Sequence, residues 1–227
     1  MVVSKKSSTF ATSNKNKQQF KSITIMKTYI TKLFYGSDDK KVEFVKKFNS
    51  YKDAFEYLNR LCGVFREDGV KFIDLTPTLM HRDHKRYVLS RLVNYIENEI
   101  TDVDYIVSPD ARGFLWGMGV STIMNKPIIP VRKTGKLPKS CVSKTEEYDT
   151  EYSKTSLDLP LGLLPDSMEF RNARVVFVDD VYATGGTYEA CKKLLESVGA
   201  NLLGAVVVYD VGLVDNDEVY SLAKGDL

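Results

Sequence analysis

Residues 175–187 of this 227-residue chain read VVFVDDVYATGGT and leave little freedom in how the surrounding chain can fold. Four apolar residues precede two aspartates, and a Gly-Gly pair precedes Thr187 and an amphipathic stretch. A short, continuous apolar run is typical of a strand buried on both faces, as in parallel sheets covered by helices. The segment therefore predicts a buried strand, a tight turn and a helix in direct succession, which is the building unit of an α/β fold.

The rest of the chain shows a similar alternation of apolar strands and amphipathic helices. Helical spacing of apolar residues predicts helices over Tyr51–Phe65, Arg86–Ile100, Phe114–Met124 and Thr187–Val198. Short apolar runs predict strands over Tyr105–Val107, Pro127–Val131, Arg174–Val178 and Leu202–Val208. This alternation predicts a central, mainly parallel sheet flanked by helices.

Charge is distributed unevenly along the chain. The formal net charge is +2, but residues 1–26 contain five lysines and no acidic residue, so the remainder is slightly acidic. This N-terminal stretch is rich in Ser, Thr, Asn and Gln without periodicity, which predicts a disordered basic tail. A Ser-rich, acid-poor stretch is also typical of a transit peptide, although this one contains no arginine. With so few lysines and no helix-turn-helix pattern, nucleic acid is not an expected partner.

Composition and cysteine usage exclude several classes of protein. With 43% hydrophobic and 27% charged residues, the chain is neither a disordered protein nor a disulfide scaffold. No run approaches the roughly 20 apolar residues that cross a bilayer, and no secretory signal is apparent. The three cysteines, Cys62, Cys141 and Cys191, are widely spaced and fit neither a disulfide framework nor a zinc site. We expect a cytoplasmic protein with reduced thiols and no membrane partner.

The turn after the predicted strand has the chemistry of a phosphate site. Glycines let backbone amides approach an oxygen-rich ligand, threonine hydroxyls can donate, and a helix start offers unpaired N–H groups. The residues concerned are Ala183, Thr184, Gly185, Gly186 and Thr187. Asp179 and Asp180, at the carboxyl end of the strand, can accept hydrogen bonds from two sugar hydroxyls. Each feature alone is also ordinary turn or capping chemistry, but together they point to a phosphoribosyl group.

As a whole, the segment 175–187 resembles the 5-phosphoribosyl 1-pyrophosphate (PRPP) binding motif of type I phosphoribosyltransferases. Other segments resemble, in the same order, those of adenine phosphoribosyltransferases: VKFID at 70–74, DARGF at 110–114, VRKTGKLP at 131–138, and Glu151-Tyr152 followed by Leu157-Asp158-Leu159. The resemblance covers roughly residues 64–213. It implies the type I phosphoribosyltransferase fold with a small N-terminal hood, and a purine salvage reaction that converts adenine and PRPP to AMP and pyrophosphate. It also implies Mg2+ carried by PRPP near Asp179 and Asp180, with no direct protein metal site.

The resemblance assigns roles at the pyrophosphate and at the reacting centre. It implies that Arg112 and Ala111 bind pyrophosphate, with a cis peptide bond before Ala111. It also implies that the basic cluster of Arg132, Lys133 and Lys136 helps to bind PRPP, with Arg132 or Lys136 reaching the pyrophosphate and Arg132 often acting across a homodimer interface. Glu151 and Arg112 are the candidate catalytic residues, Glu151 as the acid/base over the purine N7, while Tyr148 and Tyr152 close over PRPP. An acid in a polar loop and a run of basic residues are also ordinary solvated features.

The base site is implied by a second set of residues. Phe72 would stack on the purine, backbone groups of Lys71 and Ile73 would read its edge, and Asp210 would accept from an exocyclic amino group. The chain departs from the family pattern at Ile73, where an arginine is common, and in the approach to it at residues 62–69. Backbone recognition of the purine can survive a side-chain change.

Combining these inferences divides the chain into three parts. Residues 1–26 form the tail, 27–80 an extension and base-binding hood, and 81–227 the PRPP-binding core with a lid loop at about 134–158. The lid is expected from a polar stretch without clear period. One alternative is a 6-oxopurine phosphoribosyltransferase, which would need a lysine and an aromatic residue where the chain has Asp210–Leu213. The other is a PRPP-sensing, non-catalytic paralogue, which would carry a DNA-binding domain or a broken lid.

Overall fold

The computed structural model of the protein describes residues 63–67, 70–142, 144–149, 154–160 and 170–224. The elements in chain order are β1 (Gly63–Glu67), β2 (Val70–Asp74), α1 (Thr76–Met80), α2 (Arg82–Tyr95), β3 (Tyr105–Pro109), α3 (Arg112–Met124), β4 (Ile128–Lys133), β5 (Lys144–Asp149), β6 (Lys154–Leu159), β7 (Arg174–Tyr182), α4 (Gly186–Glu196), β8 (Asn201–Asp210) and β9 (Val219–Lys224). A π-helical turn, Ile96–Ile100, extends α2, and a 3-10 turn, Lys139–Cys141, precedes β5. Within these ranges, no helix combines the length and hydrophobicity that a membrane span requires.

A seven-stranded sheet in the order β5-β6-β4-β3-β7-β8-β9 forms the centre of this part of the chain. The strands β4, β3, β7, β8 and β9 are parallel, while β6 is antiparallel to both β4 and β5. Separately, β1 and β2 form a two-stranded antiparallel sheet. The prediction of an α/β fold with a mainly parallel sheet is confirmed.

Helices cover both faces of the sheet. α3 connects β3 to β4 and α4 connects β7 to β8, so the two connections run in opposite directions from the sheet centre. Since such crossovers are almost always right-handed, the two helices lie on opposite faces. The strand β7 between them is buried along nearly its whole length, which explains its continuous apolar sequence.

A large part of the core lies beside α4. It contains bulky, fully buried side chains from the helix and the strands, including Phe177, Tyr188, Leu194, Leu157 and Leu159. Each side chain of this size stabilises the fold by about 1.5–3 kcal/mol on burial. This packing anchors the first turn of α4 at the end of β7.

Small residues bring α3 close to the sheet on the other face. A Cβ built at Gly117 would lie 2.6 Å from both Cβ and Oγ of Ser108 on β3. Ser108 is fully buried, and its hydroxyl donates to the carbonyl of Val178 on β7 at 2.6 Å. The close approach places the first residue of α3, Arg112, beside the carboxyl end of β7.

The structure corrects three of the predicted elements. The helix expected to reach Phe65 is wrong at its end, because Gly63–Phe65 belong to β1 and pair with β2; residues 51–62 lie outside the described residues. The lid predicted as a loop over 134–158 contains β5 and β6, whose polar outward side chains hide the strand period. The strand predicted to end at Val178 continues to Tyr182, because pairing with β8 persists through both aspartates.

The remaining elements agree with their predicted types within a few residues. The helix predicted from Arg86 begins at Arg82, and its last turn is the π-helical segment. The helix predicted from Phe114 begins at Arg112. The tail over residues 1–26 lies outside the described residues, as does most of the hood over 27–80, and both stay predictions.

Candidate active site

The carboxyl ends of β3 and β7 and the first turns of α3 and α4 meet at one edge of the sheet. The phosphate loop, residues 183–187, follows β7 directly and leads into α4. Gly185 has φ 82°, a left-handed conformation that favours glycine, and a Cβ built there would lie 2.6 Å from Tyr182 Oη. The predicted strand, turn and helix are therefore present, with the unpaired amides of a helix start at the turn.

Two buried carboxylates precede the phosphate loop. Asp179 Oδ1 accepts a hydrogen bond from the backbone N–H of Asp180 at 2.8 Å. Burial, followed by the negative charge of Asp180, raises the pKa of Asp179 well above its usual range. Asp180, only 4% exposed, forms an ion pair in which its Oδ2 lies 2.9 Å from Arg112 Nε. Both carboxyl groups are thus fixed in position at the end of β7.

Arg112 connects three of the predicted site segments. Besides its ion pair with Asp180, it donates from Nη1 to the carbonyl oxygen of Ile73 at 3.2 Å. Ile73 lies on β2, so the predicted pyrophosphate arginine contacts Asp180, one of the predicted ribose acids, and also the predicted base segment. The peptide bond between Asp110 and Ala111 is cis, as the resemblance implies.

Of the basic cluster at the end of β4, only Arg132 forms an ion pair among the described residues. Arg132 Nε lies 3.1 Å from Asp110 Oδ2, and its guanidinium lies 5.7 Å from the centre of the Phe114 ring. Lys133 and Lys136 are exposed at the end of β4 and in the turn that follows. Arg132 is therefore beside the Asp110-Ala111 bond, while the two lysines extend toward solvent.

Asp158 joins the lid segment to the end of β4. Its buried carboxylate, 2% exposed, accepts from Thr134 Oγ1 at 2.8 Å, Thr145 Oγ1 at 2.7 Å and Gly135 N at 3.3 Å. A buried charge is tolerated when hydrogen bonds replace its lost hydration, and three donors do so here. The base of the β5–β6 hairpin is therefore fixed to the sheet.

The same hairpin reaches the first turn of α4. Thr187 Oγ1 donates to Tyr148 Oη at 3.5 Å, and burial is the main cause that raises the pKa of Tyr148. Glu146 forms an ion pair with Lys193 of α4 at 3.1 Å. The hairpin thus lies against the helix that carries Thr187 of the phosphate loop.

The structure does not test the roles predicted for Glu151, Tyr152, Lys71, Phe72 and Asp210. Glu151 and Tyr152 lie outside the described residues, and Lys71 and Phe72 are described only as members of β2. The buried Asp210 accepts from the Gly212 N–H at 2.9 Å through Oδ1, and its Oδ2 lies 3.6 Å from Lys224 Nζ. Its proposed contact with the base stays a prediction.

Sequence reasoning assigned no individual role to four residues around the site, Asp110, Asp158, Tyr182 and Asn216, although the first three stand in segments that it singled out. Asp158 had a signal, because an acid between two leucines in a strand is unusual unless hydrogen bonds stabilise it. Asn216, which donates from Nδ2 to Tyr182 Oη at 3.3 Å, had none, since its partner is 34 positions away.

Known proteins have a similar fold and a related sequence. A family model described as phosphoribosyl transferase domain matches residues 87–219. The adenine phosphoribosyltransferase of Rhodococcus jostii is 37% identical over 170 residues, which are 75% of this chain and 90% of that protein. The crystal structure of the adenine phosphoribosyltransferase from Thermoanaerobacter pseudethanolicus is 31% identical, with a TM-score of 0.66 over 75% of this chain and 99% of that chain. The enzyme of Saccharomyces cerevisiae, complexed with adenine and an imino-altritol bisphosphate, is 26% identical, with a TM-score of 0.66 and the same coverage of 75% and 99%. The chain therefore belongs to the phosphoribosyltransferase family, among the adenine phosphoribosyltransferases.

Proposed function

We propose that this chain transfers the 5-phosphoribosyl group of PRPP to N9 of adenine, giving AMP and pyrophosphate, and so serves purine salvage. The observation that supports it most is the contact of Arg112 with both Asp180 and the carbonyl of Ile73, next to the phosphate loop. An arginine, two acids and a glycine turn at one sheet edge match the pyrophosphate, the ribose diol and the 5-phosphate of one substrate.

In this proposal, each group of PRPP has a partner. The amides and hydroxyls of residues 183–187 bind the 5-phosphate at the start of α4. Asp179 and Asp180 accept hydrogen bonds from the ribose hydroxyls, while Arg112 and the amide of Ala111 bind the pyrophosphate. The contacts of Arg112 with Asp180 and Ile73 orient its guanidinium at this edge of the sheet.

The lid segment completes the site. Arg132, Lys133 and Lys136 provide positive charge for the leaving pyrophosphate, and Tyr152 and the β5–β6 hairpin cover the ribose. Glu151, which lies in the connection between β5 and β6, accepts the proton from the purine N7 as N9 bonds to the ribose carbon and the bond from that carbon to pyrophosphate breaks. Exclusion of water protects the cation-like ribosyl centre from hydrolysis. Phe72, Lys71, Ile73 and Asp210 contact the adenine.

Mg2+ is the expected cofactor, and the carboxylates suit it. Mg2+ usually keeps several waters and binds through one or two carboxylates plus substrate phosphates. Asp179 and Asp180 would lie near an ion that PRPP itself carries; among the described residues no group of three or more side chains is arranged to hold a metal ion directly. When bound with PRPP, the ion would neutralise charge on the leaving pyrophosphate.

The assembly and compartment are also proposed. Two exposed apolar side chains on α3, Leu115 and Met118, support a homodimer in which this helix meets its copy. Arg132, beside Phe114 of the same helix, is then close to the partner's site. Free thiols at Cys141 and Cys191 support a cytoplasmic location, because reducing compartments preserve them.

An assay panel tests the reaction. The purified full-length protein is incubated with PRPP and MgCl2 and, separately, with adenine, hypoxanthine, guanine, xanthine and orotate. We expect AMP and pyrophosphate from adenine and no nucleotide from the other bases. Turnover of a different base would overturn the adenine assignment. Thermal stabilisation by PRPP without turnover of any base would instead indicate a PRPP sensor.

A further inference from the structure

Tyr182, the last residue of β7, lies directly under the phosphate loop. Its side chain is 4% exposed, and a Cβ built at Gly185 would be only 2.6 Å from its hydroxyl oxygen. The loop backbone therefore rests on this hydroxyl at the point where φ is 82°. Because Gly185 has no side chain, its backbone can approach the hydroxyl closely. This contact sets the distance between the loop backbone and the end of β7.

Asn216 fixes the Tyr182 hydroxyl from the other side. Its Nδ2 donates to Tyr182 Oη at 3.3 Å, and its Oδ1 accepts from the Glu218 N–H at 2.9 Å. The hydrogen bond from Glu218, two residues along the chain, thus orients the Asn216 amide for its bond to the tyrosine.

Asn216 belongs to the strap, residues 211–218, which connects β8 to β9. The strap begins with a hydrogen bond from the Val211 N–H to the Tyr182 carbonyl at 2.8 Å. It ends at Glu218, whose Oε2 accepts from Tyr188 Oη and from Lys192 Nζ, each at 2.7 Å. Both ends are therefore attached to the strand and helix that flank the phosphate loop.

We propose that Tyr182 is a positioning residue for the phosphate loop and that Asn216 holds its hydroxyl in place. This inference rests on the proposed function, because the distance between the loop and β7 matters for catalysis only if the loop binds the 5-phosphate of PRPP. Hydrogen bonds weaken steeply with distance and angle, so a small displacement of the loop amides weakens phosphate binding. Tyr182 also lies opposite Asp210 in the β7–β8 register, but Tyr182→Phe leaves that backbone pairing unchanged, so we expect no effect on adenine binding.

Direct binding of PRPP to the full-length protein tests the proposal. In calorimetric titrations with PRPP and MgCl2, Tyr182→Phe raises the Kd for PRPP roughly threefold to tenfold, the effect of about one neutral hydrogen bond. Asn216→Ala raises it in the same direction, and the double variant is no weaker than Tyr182→Phe alone, because both changes remove one shared contact. In steady-state assays, the KM for PRPP rises while kcat and the KM for adenine stay within about twofold.

The matched control is Tyr188→Phe, which removes the other buried tyrosine hydroxyl that bonds to the strap. It breaks the Glu218 contact without removing the hydroxyl under Gly185. We expect a lower melting temperature and an unchanged Kd for PRPP.

Three results would overturn the inference. The first is a wild-type Kd for PRPP in Tyr182→Phe, and the second is full additivity of the two single changes. The third is an equal loss of PRPP affinity in Tyr188→Phe, which would show that general loosening of the strap is responsible. Failure of the proposed reaction is distinguishable, because adenine turnover would then be absent while the Kd measurements still report on the loop. A wild-type protein that does not bind PRPP would overturn both proposals.

Discussion

Two glycines determine how closely the backbone approaches the polar groups of the site. Gly185 lies over the Tyr182 hydroxyl in the left-handed region. At Gly113, a Cβ would lie 2.6 Å from Asp179 Oδ1 and 2.9 Å from Pro109 Cδ. The missing side chains allow the start of α3 and the phosphate loop to sit against the carboxyl end of β7, where the acids are.

We expect Gly185→Ala to impair PRPP binding as well as stability. A left-handed alanine costs about 1–2 kcal/mol, and the added methyl group displaces the loop from the tyrosine hydroxyl. A displaced contact of about 1.4 kcal/mol corresponds to a tenfold change in affinity, so the Kd for PRPP should rise at least about tenfold. Gly199→Ala is the control, since φ is 78° there but the nearest atom is 3.5 Å away. It should lower the melting temperature and leave the Kd unchanged; equal Kd values in both variants would contradict the prediction.

We expect Asp180→Asn to weaken PRPP binding more than adenine binding. The change preserves shape but removes the charge that pairs with Arg112, and it replaces one of the two acceptor oxygens proposed for the ribose with an NH2 donor. The KM for PRPP should rise by roughly tenfold, the effect of one charge-assisted hydrogen bond, with a smaller change in the KM for adenine. Asp83→Asn, which removes an exposed ion pair on α2, is the control and should behave as wild type. A wild-type KM for PRPP in Asp180→Asn would exclude the proposed contact.

At the scale of elements, two acids join strands that are distant in sequence. Asp158 fastens the β5–β6 hairpin to the end of β4 through three hydrogen bonds. Asp104, before β3, accepts from the backbone N–H of Arg174 at 2.9 Å and from its guanidinium at 3.1 Å. The hydrogen bonds from Arg174 are the main reason that the pKa of Asp104 is lowered to about 2.

We expect Asp158→Asn to lower both stability and turnover. An amide cannot accept from all three donors, and its NH2 group, buried where Asp158 is 2% exposed, would face a donor instead of an acceptor, which costs about 1–3 kcal/mol. Since Glu151 lies in the connection of this hairpin, kcat should fall more than the affinity for PRPP. Thermal unfolding and steady-state kinetics measure the two effects, with the exposed Glu147→Gln on β5 as control. Normal turnover in a destabilised Asp158→Asn variant would show that the hairpin base does not position the lid.

Asp104→Asn should change how stability depends on acidity. The folded-state pKa of about 2 lies below the ordinary 3.8, so the carboxylate stabilises the fold above pH 3.8. This contribution is lost as the pH falls from 3.8 to about 2, and the variant lacks it throughout. Urea midpoints, followed by fluorescence of the buried Trp116, should therefore differ at neutral pH and converge near pH 2. A difference that stays constant from pH 7 to pH 2 would contradict this account.

At the scale of the whole molecule, the proposed homodimer would place α3 between the site and a second copy of the chain. Leu115 and Met118 are 52% and 54% exposed, and residues three apart lie on the same helix face. The neighbouring Phe114 contacts Arg132, which the proposed function assigns to pyrophosphate. Association and catalysis would therefore share one helix.

Met118→Glu tests this link. A charge buried at a dimer interface is unfavourable, so we expect a monomer in sedimentation equilibrium and a loss of activity. Met80→Glu adds the same charge at a side chain that is 82% exposed, and it should leave the mass of the assembly unchanged. A dimer of normal mass in Met118→Glu would place the interface elsewhere.

Local patterns in the sequence predicted much of this protein. The apolar run, the two aspartates and the Gly-Gly turn at 175–187 are contiguous, so one segment carries the strand, the ligand groups and the helix start. Helical period likewise predicted α2, α3 and α4, and their alternation with strands predicted the mainly parallel sheet, which is confirmed. Glu151, Tyr152 and the N-terminal tail lie outside the described residues and stay predictions.

Only the tertiary structure decided which distant groups meet. Arg112 contacts Ile73 across 39 positions and Asn216 contacts Tyr182 across 34, and no local period encodes such a partner. The edge hairpin of β5 and β6 was also hidden, because strands with polar outer faces lack a clear apolar alternation. The sequence by itself determined the fold class and the phosphate turn, since these depend on neighbours along the chain. The hydrogen bond from Asn216 that holds the tyrosine hydroxyl beneath this turn depends on neighbours in space.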